Sequence, residues 1–177
     1  MRVAVHVLLA FLWTVLLGAL WRLTPFELAA PDVALLYALF LGASSRGKVW
    51  EATLGAIVIG YLADVVGGAP PGLGAFVLGL LCVLVRMLSS RLLLRGALLT
   101  AVLSFVAAAA AGVATWAIRA AGGVGVGPLS RELAVALGSA LLTAFLSPIV
   151  FRASRGVDAR FARTQREREA LREGYLL

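Results

Sequence analysis

Long apolar runs separated by short polar or glycine- and proline-containing connectors set the pattern of this chain. The runs cover residues 3–21, about 26–43, 49–66, 72–88, 97–118 and 133–151. A bilayer core takes about 20 apolar residues per helix, so each run predicts one membrane-spanning helix. The expected fold is an all-α integral membrane protein, a six-transmembrane-helix bundle over residues 1–151. A basic tail, 152–177, follows it. In the second run Pro31 either opens a short helix at its first turn or kinks a longer one. The first run is longer than the roughly 7–15 residues of a signal-peptide core, which favours a retained helix.

Composition agrees with this pattern. Of 177 residues, 62% are apolar and 14% charged, and the mean hydropathy is +0.99. Soluble domains average about 45–50% apolar and about 25% charged, which argues against a soluble enzyme. Residues 152–177 hold 11 of the 25 charged side chains, so the membrane domain is poor in charge. One cysteine, Cys82, and one histidine, His6, leave no disulfide framework or common metal site to build from sequence, and no cofactor is expected. The net charge of +7 is carried by residues that flank apolar runs, so it points to a lipid bilayer and not to nucleic acid.

With a cytoplasmic amino terminus, 13 of the Lys and Arg residues fall inside and three, Arg22, Arg119 and Arg131, fall outside. The positive-inside rule then predicts that both termini are cytoplasmic. Trp21 and Trp116 would lie near the outer interface and Trp50 near the inner one.

The third and fourth runs carry the most information. Ala52, Ala56, Gly60 and Asp64 recur every four residues and form one drifting stripe of a helix. Small residues on such a stripe let another helix approach closely. Asp64 continues the stripe and is expected to face protein or a wet cavity, because a carboxylate in lipid costs roughly 2.5–3.5 kcal/mol on the insertion scale. Gly72, Ala75, Gly79, Cys82 and Arg86 step by three and four and make a second small-residue seam. Between them Gly67-Gly68-Ala69-Pro70-Pro71 is a short turn, so the two helices are antiparallel neighbours. In that hairpin Glu51 and Arg86 reach about the same depth, and an ion pair between them is expected.

Other polar features have plainer readings. Asp32 follows Pro31 at a helix start, where the helix dipole stabilises a carboxylate. An intramembrane hydrolase would need Asp32 and Asp64 at one site, a remote alternative beside structural packing. His6 reads as a helix-contact residue. The segment 122–128 follows a helix and lacks the spacing of a phosphate-binding loop, so it reads as an external connector with Ser130 as a helix cap. Pro148 predicts a bend in the sixth helix. The tail carries seven arginines and four acids, with Arg163–Glu167 and Glu169–Arg172 at spacings that favour a surface helix, and it suits anchoring on anionic lipid or docking of a cytoplasmic protein.

Pro31-Asp32, Leu35-Leu36-Tyr37-Ala38, a short basic loop, then Gly55, Gly60, Asp64 and Gly68, then Pro71-Gly72-Leu73 resemble the rod-shape-determining membrane protein family MreD. The resemblance spans about residues 31–86. It implies a non-enzymatic scaffold of the bacterial cell-wall elongation machinery in the cytoplasmic membrane. Its direct partner would be the bitopic protein MreC, with MreB filaments and peptidoglycan synthases reached indirectly. It also implies a fold similar to the substrate-binding subunits of energy-coupling-factor vitamin transporters, and such a subunit is the alternative function. Ala56, Gly60, Asp64, Gly68, Pro71, Gly72 and Gly79 are the residues expected to pack the hairpin or bind the partner.

Overall fold

The computed structural model describes residues 2–21, 23, 29–44, 48–89, 96–123 and 127–174, with side chains of the last helix described as far as residue 162. Six helices follow in order: α1 (Arg2–Trp21), α2 (Val33–Ala43), α3 (Val49–Gly67), α4 (Leu73–Ser89), α5 (Ala97–Ala121) and α6 (Leu129–Gly174). Four of them are long and apolar enough to cross a membrane: α1, α3, α5 and the Leu129–Ala162 part of α6. The shorter apolar helices are α2, with 11 residues, and α4, with 17.

The second helix is shorter than the apolar run that contains it. It starts at Val33, not near residue 26, because Asp32 caps it: the Oδ1 atom accepts from the Leu35 N–H at 2.9 Å. Pro31 takes neither of the two expected positions: it stands just before the cap, outside the helix. Residues 24–28, the start of the expected run, lie outside the described residues.

This short helix is the centre of the molecule. Every residue from Val33 to Gly42 is buried, and α1, α3, α4 and α6 pack around it. A helix apolar on all sides either faces lipid or is enclosed by other helices, and α2 is enclosed. Two hairpins frame it, α3 with α4 and α5 with α6. Small residues set the spacing where helices cross. A Cβ on Gly42 would stand 2.7 Å from the Cys82 carbonyl oxygen, so α2 and α4 meet backbone to backbone there.

The sixth helix differs most from expectation. It begins at Leu129, so Ser130 lies in its first turn and does not cap it; the Pro128 carbonyl accepts from Arg131 and Glu132 instead. It also continues as one helix through residue 151 to Gly174, with Pro148, the expected site of a bend, inside it. Forty-six residues at 1.5 Å each give a rod of about 69 Å, more than twice a hydrocarbon core of about 30 Å. The boundary expected at 151/152 is therefore not a break in the backbone. Phe151, Ser154 and Asp158 are buried on one face of this extension, which holds its first turns against the bundle.

Candidate functional site

Two polar clusters join the helices, one at each end of α2. The first lies at the turn between α3 and α4. Asp64 is 5% exposed, and its carboxylate receives the free N–H groups that open α4. The Gly72 N–H donates to Oδ2 at 3.0 Å, and the Gly74 N–H reaches both oxygens at 2.9 Å. A negative charge at a helix N-terminus also meets the positive end of its dipole. The Asp64 carbonyl in turn accepts from Ala69 at 3.0 Å and from the Gly68 N–H, so one residue closes both sides of the turn. Gly68 sits at φ +68° and Gly72 at φ +99°, in the left-handed region where a side chain is strained.

Such a cap requires the two backbones to be close. A Cβ on Gly60 would fall 2.6 Å from the Gly74 carbonyl carbon and 2.7 Å from the Ala75 Cα. One on Gly74 would stand 2.5 Å from Asp64 Oδ1 and 3.1 Å from the Gly60 carbonyl oxygen. Farther down the hairpin, a Cβ on Gly79 would stand 2.8 Å from Ile57 Cγ1. Ala56 is fully buried. Thus Gly60, Asp64, Gly72 and Gly79 meet within the α3–α4 hairpin, while Gly68 and Pro71 lie exposed at its turn. Gly74, which the three-and-four spacing passes over, belongs to this cluster as closely as Gly60 does.

The second cluster gathers residues from across the chain. Arg2 of α1 forms a two-pronged ion pair with Asp158 of α6: Nε donates to Oδ1 and Nη2 to Oδ2, each at 2.7 Å. Arg2 Nη2 also donates to the Ser44 hydroxyl at the end of α2. Arg86 of α4 donates to the Ser44 carbonyl. Two guanidiniums therefore cluster at the carbonyl end of α2, where the helix dipole favours positive charge. His6 is fully buried beneath them. Its Nδ1 is 3.0 Å from the Arg2 carbonyl, its Nε2 is 3.5 Å from Asp158 Oδ1, and its ring stacks on Phe40 at 5.3 Å.

The expected Glu51–Arg86 pair is absent from the ion pairs among the described residues, which are Arg2–Asp158 and His6–Asp158. The reason is geometric: Arg86 turns toward the end of α2, whereas Glu51 lines a groove between α3 and α1. Asp32 and Asp64 serve different helices. Asp32 caps α2 and its backbone N–H donates to Thr143 of α6 at 2.9 Å, while Asp64 caps α4. A cavity of about 560 Å³ lies between α1, the start of α2 and the end of α3. Asp32 lines it, whereas Asp64 and the expected outer residues Arg119 and Arg131 do not. Arg22 lies outside the described residues.

Sequence reasoning missed Arg2, Ser44 and Asp158 as one cluster. The signal available was the spacing Ser147, Phe151, Ser154, Asp158, a helix stripe of small, apolar and acidic residues at the entrance to an arginine-rich segment.

Comparison with curated proteins and with solved structures gives no match. Comparison with known protein families does: residues 1–122, over two thirds of the chain, match the rod shape-determining protein MreD. This span contains α1 to α5, with both helices of the glycine-lined hairpin and its capping aspartate. The chain belongs to the MreD family.

Proposed function

We propose that this MreD-family chain is a non-enzymatic membrane scaffold of bacterial wall elongation that binds an MreC-like single-pass protein. MreB filaments and peptidoglycan synthases would be reached through that partner. The chain would lie in the cytoplasmic membrane with six spans and both termini cytoplasmic. The observation that carries this reading is the use made of its carboxylates. Asp64 caps α4, Asp158 pairs with Arg2 of α1, and Asp32 caps α2 while its backbone bonds to α6. Each acid holds helices in place, as a rigid binding platform needs, and each already has its proton-donor partners.

The test is gentle extraction from native membranes followed by mass spectrometry of the protein and small-molecule fractions. An MreC-like protein at fixed stoichiometry is the expected result. A bound vitamin with nucleotide-hydrolysing subunits would overturn the scaffold reading in favour of a transporter subunit. Asp64→Leu and Gly60→Leu are expected to reduce recovery of the partner more than Cys82→Ser, because they disturb the hairpin that shapes the platform. Equal recovery with all three variants would remove the hairpin from partner binding.

A further inference from the structure

The α3–α4 stripe of small residues is occupied within the bundle, so a partner helix must find another surface. A groove between α1 and α3 offers one. It runs from Val3 to Phe11 on α1 and from Trp50 to Leu62 on α3, with a volume of about 580 Å³. On α3 it extends from Trp50 to Leu62, a rise of about 18 Å, and Val3 of α1 stands beside Gly55 part-way along it. The α3 positions lining it are 50, 54, 58 and 62, four residues apart, with 51 and 55 beside them, the one-sided spacing that receives a third helix. Leu8, Leu54 and Val58 in its walls are exposed, and so is the small Ala4, while Gly55 beneath is covered by the Val3 and Leu41 side chains. A small exposed residue such as Ala4 lets a helix backbone come close, and association inside a bilayer depends on such close packing.

The groove has one charged lining residue, Glu51. Among the described residues its carboxylate has no hydrogen-bond or ion-pair partner. Arg2, next to Val3 in sequence, is already engaged by Asp158 and Ser44. Glu51 lies in the first turn of α3 and therefore at the end of the groove.

We infer that the α1–α3 groove is the docking site for the single transmembrane helix of the partner, with a Lys or Arg at that helix's membrane boundary paired to Glu51. An apolar groove closed at one end by an unpaired carboxylate is complementary to an apolar helix ending in a cation. This inference rests on the scaffold reading and adds to it the surface and the charge of the partner.

The test uses the full chain in native membranes, with a photo-crosslinking residue at Leu54 or Val58 in the groove. Leu84 on α4 and Phe145 on α6 are exposed positions elsewhere and serve as controls. Groove positions are expected to crosslink to the MreC-like protein and the control positions are not. Glu51→Lys should lower its co-purification about tenfold, with a smaller loss for Glu51→Gln and recovery when the partner's boundary cation is changed to Glu. Crosslinks from Leu84 or Phe145 but not from the groove would overturn this site and leave the scaffold reading standing. So would lipid adducts alone from the groove while the partner still co-purifies. Failure of the unmodified chain to co-purify with an MreC-like protein would overturn the scaffold reading itself.

Discussion

Asp64 and Asp158 are both buried acids that join helices, yet they are satisfied in opposite ways. Asp64 takes its hydrogen bonds from backbone, the Gly72 and Gly74 N–H groups ten residues away or fewer. Asp158 takes them from a side chain 156 residues distant, the Arg2 guanidinium. A carboxylate that reaches backbone needs glycine around it, because a Cβ would hold the two helices apart. A carboxylate that reaches arginine needs no glycine, only an arginine delivered by the tertiary fold. The first arrangement therefore leaves a local pattern in the sequence and the second leaves almost none.

The largest effect is expected from breaking the distant pair. Asp158→Leu takes the carboxylate from Arg2, whose side chain is 21% exposed and keeps its bond to Ser44, and should cost about 3–5 kcal/mol in thermal or detergent unfolding. Combining it with Arg2→Met should restore most of that loss, since an apolar pair of similar size carries no stranded charge. If the double variant is no better than the single, the ion pair does not hold α6 to α1. Asp64→Leu comes next, at about 3 kcal/mol, because it orphans two N–H groups in an apolar surrounding. Asp64→Asn, which keeps an acceptor oxygen, should cost clearly less; equal losses would mean that charge, not hydrogen bonding, makes the cap.

Glycine substitutions sharpen the hairpin side of the comparison. Gly60→Ala drives a Cβ into the Gly74 backbone and should cost about 1–3 kcal/mol. Gly79→Ala meets only the Ile57 side chain, which can turn aside, and should cost less than about 1 kcal/mol. The order Gly60 above Gly79 is the quantity to measure. The smallest effect is expected from truncation after Ala162, within about 0.5 kcal/mol, because Phe151, Ser154 and Asp158 all remain. Truncation after Phe151 should match Asp158→Leu.

Apolar runs located all six helices, four of them long enough to cross a membrane, because such helices announce themselves by hydrophobicity. The hairpin was legible for the same reason that Asp64 can be capped: glycine spacing is written along one segment. The start of α2 was not, since hydropathy continues through residues that Asp32 excludes from the helix. The extent of α6 was not, since its apolar character ends near residue 151 while its backbone continues to Gly174. Glu51 and Arg86 illustrate the limit of depth-matching. Both lie near the same end of the hairpin, but they sit on different faces, and facing is decided by α1 and α2.

The enclosed position of α2 also bears on how the protein is made. Eleven residues span about 16 Å, roughly half the hydrocarbon thickness, so α2 cannot settle across a bilayer as an independent segment. Its entry end is tied by the Asp32 N–H to Thr143 and by the Ala30 carbonyl to Ser139, both synthesised more than 100 residues later. During synthesis α2 must therefore wait beside α1, α3 and α4, with one side still open, until the ribosome has delivered α6. Assembly closes from the carboxyl-terminal side, and a nascent chain halted before residue 139 would leave its central helix exposed to quality-control proteases.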